Sequence, residues 1–431
     1  MVSCRLVLGV PSELASFVSC LLAADRREIG TWKRTRRGTR RKQALFGLAW
    51  FRDKGDADRC LEKTLSRTRV VRSGRRPAFG ILASTITVAV IAVASIAIGS
   101  AAASASVRLT SPQKAGMAEL MKSYNPSSGL IGGSWWQAAD ALSTLETYQQ
   151  ATGDTSYSNA IRTAFKDHEP GNFEDSNNDD TGWWGLAWLQ AYHITRSRQY
   201  LAMAETDANY IHRSWDGTCG GGVWWNKERT YKNAITNELF LSLAAQLHQR
   251  VPDDRDYLGW AMRSWEWLHD SGMIGPDGLV NDGLTADCAN NGGTTWTYNQ
   301  GVILGGLAAL HEITGDPAYL RQGEVIADAT LSGLTDQSGI LTEPCEGTGC
   351  DSDQTQFKGI FVRNLHEFYS RRSKPAYRAF LLANADSVWD SDRNAADQFG
   401  LRWAGPFDRA DASRQSSALE VLTAAAGLMA G

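Results

Sequence analysis

From residue 107 onward the chain reads as apolar stretches of helical length, separated by loops rich in glycine, aspartate, asparagine and tryptophan. The pattern predicts twelve helices, near 112–124, 134–152, 155–167, 179–196, 197–213, 232–250, 254–271, 297–314, 316–332, 354–371, 374–390 and 413–429. A unit recurs in which an apolar helix ends in a short polar turn and a tyrosine opens the next helix. It runs from Thr152-Gly153-Asp154 to Tyr157, from Thr195-Arg196-Ser197 to Tyr200 and from Thr314-Gly315-Asp316 to Tyr319, with weaker copies at Tyr257 and Tyr377. Such helical hairpins bury their apolar faces only by stacking on neighbours. Six of them predict an all-α (α/α)6 barrel, with an open helical solenoid as the alternative. The loops 214–231, 272–296 and 333–353 are too long for simple connections, and a closed ring brings them together at one mouth.

Charge divides the chain. Residues 1–106 hold 19 Lys+Arg against 7 Asp+Glu, and the remainder holds 25 against 40. An acidic body argues against a nucleic-acid partner, because phosphate binding needs a basic face. A neutral polyhydroxylated ligand fits it better. Upstream, Arg69, Arg72, Arg75 and Arg76 precede an apolar run from Phe79 to Gly99 and the small residues Ala103-Ser104-Ala105. That is the order of a cleavable export signal, here over 69–105, while its length also allows a membrane anchor. The helical domain is then 107–431, extracellular or held outside by the anchor, and acting as a monomer. Residues 1–68 form a basic extension without apolar periodicity, and a start of translation near Val70 or Val71 would make it an artefact.

Four of the seven cysteines lie in the body, at Cys219, Cys288, Cys345 and Cys350. In an exported domain an even number suggests two disulfides. Cys345 and Cys350 would close a small glycine-containing loop and leave Cys219 with Cys288, while buried free thiols are the other reading. The spacings resemble no zinc site, and no metal or cofactor is expected.

The chemistry centres on Asp179-Asp180, followed by Trp183-Trp184 at a helix start. Carboxylates are favoured there by unpaired backbone N–H groups and the helix dipole, so capping is the simplest role. Two adjacent carboxylates also repel, which holds a proton on one of them, and glycoside hydrolysis needs one protonated and one ionised carboxyl. Fourteen tryptophans follow residue 106, many in loops or at helix starts, among them Trp135-Trp136, Trp224-Trp225 and Trp296. Indoles in such places can stack on sugar faces.

Five motifs in order carry a family resemblance: Asp179-Asp180 before Gly182-Trp183-Trp184, Thr230-Tyr231-Lys232-Asn233, Asn281-Asp282-Gly283, Thr297-Tyr298-Asn299-Gln300-Gly301 and Phe357-Lys358-Gly359. Together they resemble glycoside hydrolase family 76 over roughly residues 110–430. The resemblance implies an (α/α)6 barrel and an endo-acting α-1,6-mannanase that retains configuration, with α-mannan as partner, Asp179 as nucleophile and Asp180 as acid/base. It implies substrate contacts from Trp183, Trp184, Trp225, Tyr231, Asn233, Asn281, Asp282, Tyr298, Asn299, Gln300, Phe357 and Lys358. The chain departs upstream, with Asn177-Asn178 where family members carry an aromatic. A cell-wall mannan transglycosylase, another (α/α)6 carbohydrate enzyme and a non-catalytic mannan-binding protein are the alternatives.

Overall fold

The structure is a computed structural model and describes residues 112–430 except 252 and 254. These residues lie in the unit Ile81–Gly431. The expectations for residues 1–68 and 69–105 fall outside them. Among the described residues no helix is long and apolar enough to cross a membrane.

Twelve helices are found among the described residues: α1 (112–120), α2 (Trp135–Thr152), α3 (Ser158–His168), α4 (Asn178–Thr195), α5 (Arg198–His212), α6 (Ala234–Arg250), α7 (Arg255–Asp270), α8 (Thr297–Thr314), α9 (Pro317–Gly333), α10 (Phe357–Arg371), α11 (Pro375–Ser391) and α12 (Ala412–Ala430). The even-numbered helices pack side by side in the order α2, α4, α6, α8, α10 and α12, and α12 returns to α2. The ring is therefore closed, and the open solenoid is excluded. The odd-numbered helices lie outside it. The first of them, α1, backs α12: Gln113 Nε2 donates to the Leu422 carbonyl, and Gln415 Nε2 donates to the Gly116 carbonyl at 3.0 Å.

Inner helices are buried on most of their circumference, as α6 is from Ala234 to Ala245, whereas outer helices carry one apolar stripe. Two motif glycines belong to this packing. A Cβ on Gly301 would stand 2.5 Å from Phe361 Cα, and one on Gly359 the same distance from Ser417 Cα. These glycines let α8, α10 and α12 approach backbone to backbone.

Each short turn from an inner to an outer helix matches the recurring tyrosine unit, and Tyr200, Tyr257 and Tyr377 are buried where they open α5, α7 and α11. In the opposite direction, most outer-to-inner loops fold a small hairpin, with bridges Tyr124↔Ile131, Trp215↔Val223, Ile274↔Val280, Thr335↔Leu341 and Arg393↔Phe399. Carboxamides clamp four of these hairpins. Asn237 accepts from Val223 N–H and donates to its carbonyl, and Gln300 does the same at Val280. Asn384 accepts from Leu341 N–H, and Gln415 accepts from Phe399 N–H. All inner helices begin at the mouth these loops surround.

Candidate active site

Asp179 and Asp180 occupy the first turn of α4. The turn is anchored across the mouth: Asn178 N–H donates to the Trp225 carbonyl at 2.7 Å, and Asn178 Nδ2 donates to the Trp224 carbonyl at 2.8 Å. This brings Trp225 over the pair, where its Nε1–H donates to Asp179 Oδ2 at 3.1 Å. The other oxygen, Asp179 Oδ1, is buried without a protein partner.

Burial pushes both carboxyls well above the usual carboxylate range. At Asp179 this is opposed by backbone N–H groups and by the Trp225 indole, both of which favour the ionised form. At Asp180 the charges of Asp179, Asp175 and Asp353 add to it. The pair shares protons as a unit, with the ionised form favoured on Asp179 and the proton on Asp180.

Around the pair the inner-helix starts supply aromatic walls. Trp136 lies 5.6 Å from Trp183 and 6.2 Å from Phe357, ring centre to ring centre. Tyr298 stacks on Phe357 at 3.8 Å, and Trp296 meets the same ring edge-on. Desolvation raises the Tyr298 phenol well above its usual range, and the charges of Asp282, Asp179, Glu238 and Glu343 add to it. Tyr231 Oη donates to Asp282 Oδ2 at 2.6 Å and accepts from Asn291 Nδ2. Asp282 is itself pushed up by burial, with Tyr231 and Trp296 opposing that shift.

Of the residues expected from sequence, the structure brings Asp179, Asp180, Trp183, Trp225, Tyr231, Asp282, Tyr298 and Phe357 to this mouth. Four expectations need correction. Trp184 has no exposed surface, because it faces away from the mouth into a stack with Trp188, Trp135 and Phe173. Gln300 spends both ends of its amide on the Val280 backbone. Lys358 is buried, donating to Glu346 Oε1 and to the Leu401 carbonyl at 2.6 Å each, over the Trp403 ring. It ties two loops together instead of meeting a ligand.

Asn281 likewise serves the loop, donating to the Gly283 carbonyl and to Asn291 Oδ1. Asn233 and Asn299 are buried, the first with its side-chain oxygen and the second with both polar atoms lacking a protein partner. Sequence reasoning left out three mouth residues. Trp136 Nε1 donates to Asp353 Oδ1 at 3.1 Å across 217 positions, and Trp296 sits beside Asp282. The two tryptophans were visible as loop indoles. Asp353 carried no signal beyond standing four residues before Phe357.

Both disulfides expected from sequence form, Cys219–Cys288 and Cys345–Cys350. The first joins the loop that carries Trp225 to the loop that carries Asp282.

Residues 109–430 match glycosyl hydrolase family 76. The chain is 30% identical over 325 residues to the Candida albicans mannan endo-1,6-alpha-mannosidase DFG5, covering 67% of this chain and 72% of that protein. A Schizosaccharomyces pombe relative is 31% identical over 271 residues, covering 57% of this chain, and the match spans 61% of that relative's length. Among solved structures, an inactive variant of the alpha-1,6-mannanase GH76A of Salegentibacter sp. HEL1_6 superposes with a TM-score of 0.67 at 25% identity, covering 74% of this chain and 99% of that one. It has two consecutive aspartates replaced by alanine and holds alpha-1,6-mannotetrose. A ring of six inner helices with a half-buried aspartate pair at its mouth is thus joined to a family match over all the described residues, and the chain belongs to glycosyl hydrolase family 76.

Proposed function

We propose that the protein is an exported endo-α-1,6-mannanase that cleaves internal bonds of α-mannan with retention of configuration. The single observation that carries this reading is the pair itself, with two adjacent carboxyls in different surroundings beneath an aromatic mouth. Asp179, held toward the ionised form by Trp225 and backbone N–H groups, attacks the anomeric carbon as the glycosidic bond breaks. Asp180, held toward the protonated form by burial and like charge, gives its proton to the departing oxygen. In the second half, Asp180 takes a proton from an incoming water, whose oxygen displaces Asp179 from the sugar. The Salegentibacter variant described as inactive lacks two consecutive aspartates, which supports these roles by likeness. Two disulfides are consistent with an oxidising compartment.

A panel of linkage-defined mannans tests the assignment. Reducing ends should appear from α-1,6-mannan, with an α-anomer formed first by NMR, and Asp179→Asn and Asp180→Asn should each lower kcat by about 10³-fold or more while leaving the far-UV circular dichroism unchanged. Near-normal turnover in either variant, or a β-anomer as first product, would overturn it. Transfer to an added acceptor sugar in preference to water would reassign the protein as a transglycosylase.

A further inference from the structure

One outer-to-inner connection breaks the repeat. The segment between α3 and α4 folds no hairpin on itself, and Asn177 bridges to Asn226 in another loop. Within it Asn172 and Phe173 both take positive φ, 53° and 56°, a conformation costly for side chains with a Cβ. The strained turn drives Phe173 into the aromatic stack and leaves a cavity of about 370 Å³ beside it. That volume lies at the small end of ligand sites, enough for a sugar ring.

Trp135 and His168 supply aromatic rings to this cavity, backed by Phe173, which is itself only 1% exposed, and Asp167, Glu174 and Asp175 supply carboxyls. A half-buried indole, Trp135, beside carboxyls matches the C–H face and hydroxyls of a neutral sugar. A phosphorylated or uronic-acid ligand would meet three carboxyls, and the one basic lining group, His168, already stands 3.6 Å from Asp167. A metal ion is a poor fit, because no group of three His, Cys, Asp or Glu side chains among the described residues is disposed to hold one.

Its position relates it to the aspartate pair. Trp135 and Trp136 are neighbours at the start of α2, and they serve different spaces: Trp136 faces Trp183 and Asp353 at the mouth, while Trp135 faces the cavity. Asp175 lines the cavity and also acts by its charge on both Asp179 and Asp180. The cavity therefore lies on the rim, displaced toward outer helix α3 and separated from the mouth by the α2 start and the α3–α4 turn.

We propose that this cavity is an accessory subsite for a single neutral sugar unit attached as a branch to the backbone being cleaved. The inference rests on the mannanase reading and extends it, since it makes a side-branched α-1,6-linked chain the preferred substrate class. Gly171 allows a direct test. It lines the cavity, has no positive φ, and a Cβ there would meet nothing within 4 Å, so a side chain can start from open space.

Steady-state kinetics of Gly171→Trp and Glu174→Ala, on a linear α-1,6-mannooligosaccharide and on the same backbone with one mannosyl branch, provide the test. Filling the cavity should raise KM for the branched substrate about tenfold, and removing the exposed Glu174 carboxylate should raise it about threefold. KM for the linear substrate should stay within about twofold of wild type. Glu174→Ala keeps the test informative if Gly171→Trp fails to fold. Equal kinetics of wild type and both variants on the branched substrate would overturn the subsite, as would equal losses on both substrates. Tighter binding of a 6-phosphorylated branch would overturn its neutral-sugar class. A wild type inactive on the linear substrate would instead defeat the mannanase reading.

Discussion

The Trp225 indole makes one hydrogen bond, and that bond falls on the carboxyl proposed as the nucleophile, which must be ionised to attack. Replacing it by phenylalanine keeps an aromatic wall and removes the donor to Asp179 Oδ2. The bond favours the ionised carboxylate, so without it the Asp179 proton is held more tightly. The acidic limb of kcat/KM against pH should move to higher pH in Trp225→Phe, with a loss of about tenfold near the acidic midpoint. An unmoved limb would make Trp225 a wall alone. Asp180 leads to a prediction about stability. Its folded pKa is raised above the unfolded value by burial and by Asp179, so the folded state binds the proton more tightly. That contribution is present below the unfolded pKa and is lost as pH rises toward the folded one. Asp180→Asn should therefore melt higher than wild type at pH 8, by about 2 °C or more, and the difference should vanish near pH 4. Scanning calorimetry at the two pH values checks both the size and the sign.

Loops become a site only when something fixes their relation to one another. Cys219–Cys288 fixes the Trp225 loop to the Asp282 loop across 69 positions, while Cys345–Cys350 closes a turn of separation 5. In the chain-entropy picture the first restrains the unfolded chain by about 4 kcal/mol and the second by about 2 kcal/mol. Cys219→Ser with Cys288→Ser should cost more in urea unfolding than Cys345→Ser with Cys350→Ser. It should also lower kcat/KM, because Trp225 and Asp282 lose their common frame. The reverse ranking would mean that these loops are held mainly by their carboxamide clamps.

The same elements explain what was legible in the sequence. Helices could be read to within a few residues, as with 179–196 against Asn178–Thr195, because apolar periodicity and polar turns are local signals. Motif membership did not reveal which way a side chain points. Trp183 and Trp184 are neighbours, yet helix geometry turns them about 100° apart, one toward the mouth and one into the core. Gln300 and Lys358 looked like ligand donors because the loops that consume them lie 12 to 43 residues away. Asp353 was invisible because its partner Trp136 is brought near only by closure of the ring.

Ring closure needs an interaction between the two ends of the helical series, and a buried charge cluster stands at that seam. Arg363 on α10 donates to Asp140 on α2 and, at 2.6 Å, to Glu420 Oε1 on α12. Asp140 also accepts from Gln356 Nε2, and Glu420 accepts from Thr144 Oγ1 at 2.8 Å. Two carboxylates share one guanidinium here, which holds the Arg363 pKa above its ordinary value despite burial. Glu146, buried nearby, is pushed well above the carboxylate range by burial, and only Arg363 opposes that shift. Removing the cation would leave carboxyls without a counter-charge in the seam that joins the last inner helix to the first. The cost should greatly exceed that of a surface ion pair, about 3–5 kcal/mol for Arg363→Met. Arg363→Lys should recover part of it, since a lysine supplies the charge without the planar fork that reaches both acids at once. Urea unfolding of the two variants beside wild type measures this ranking. A loss below about 1 kcal/mol in Arg363→Met would show that the ring is held shut by apolar packing of α12 on α2, with the charges adding little.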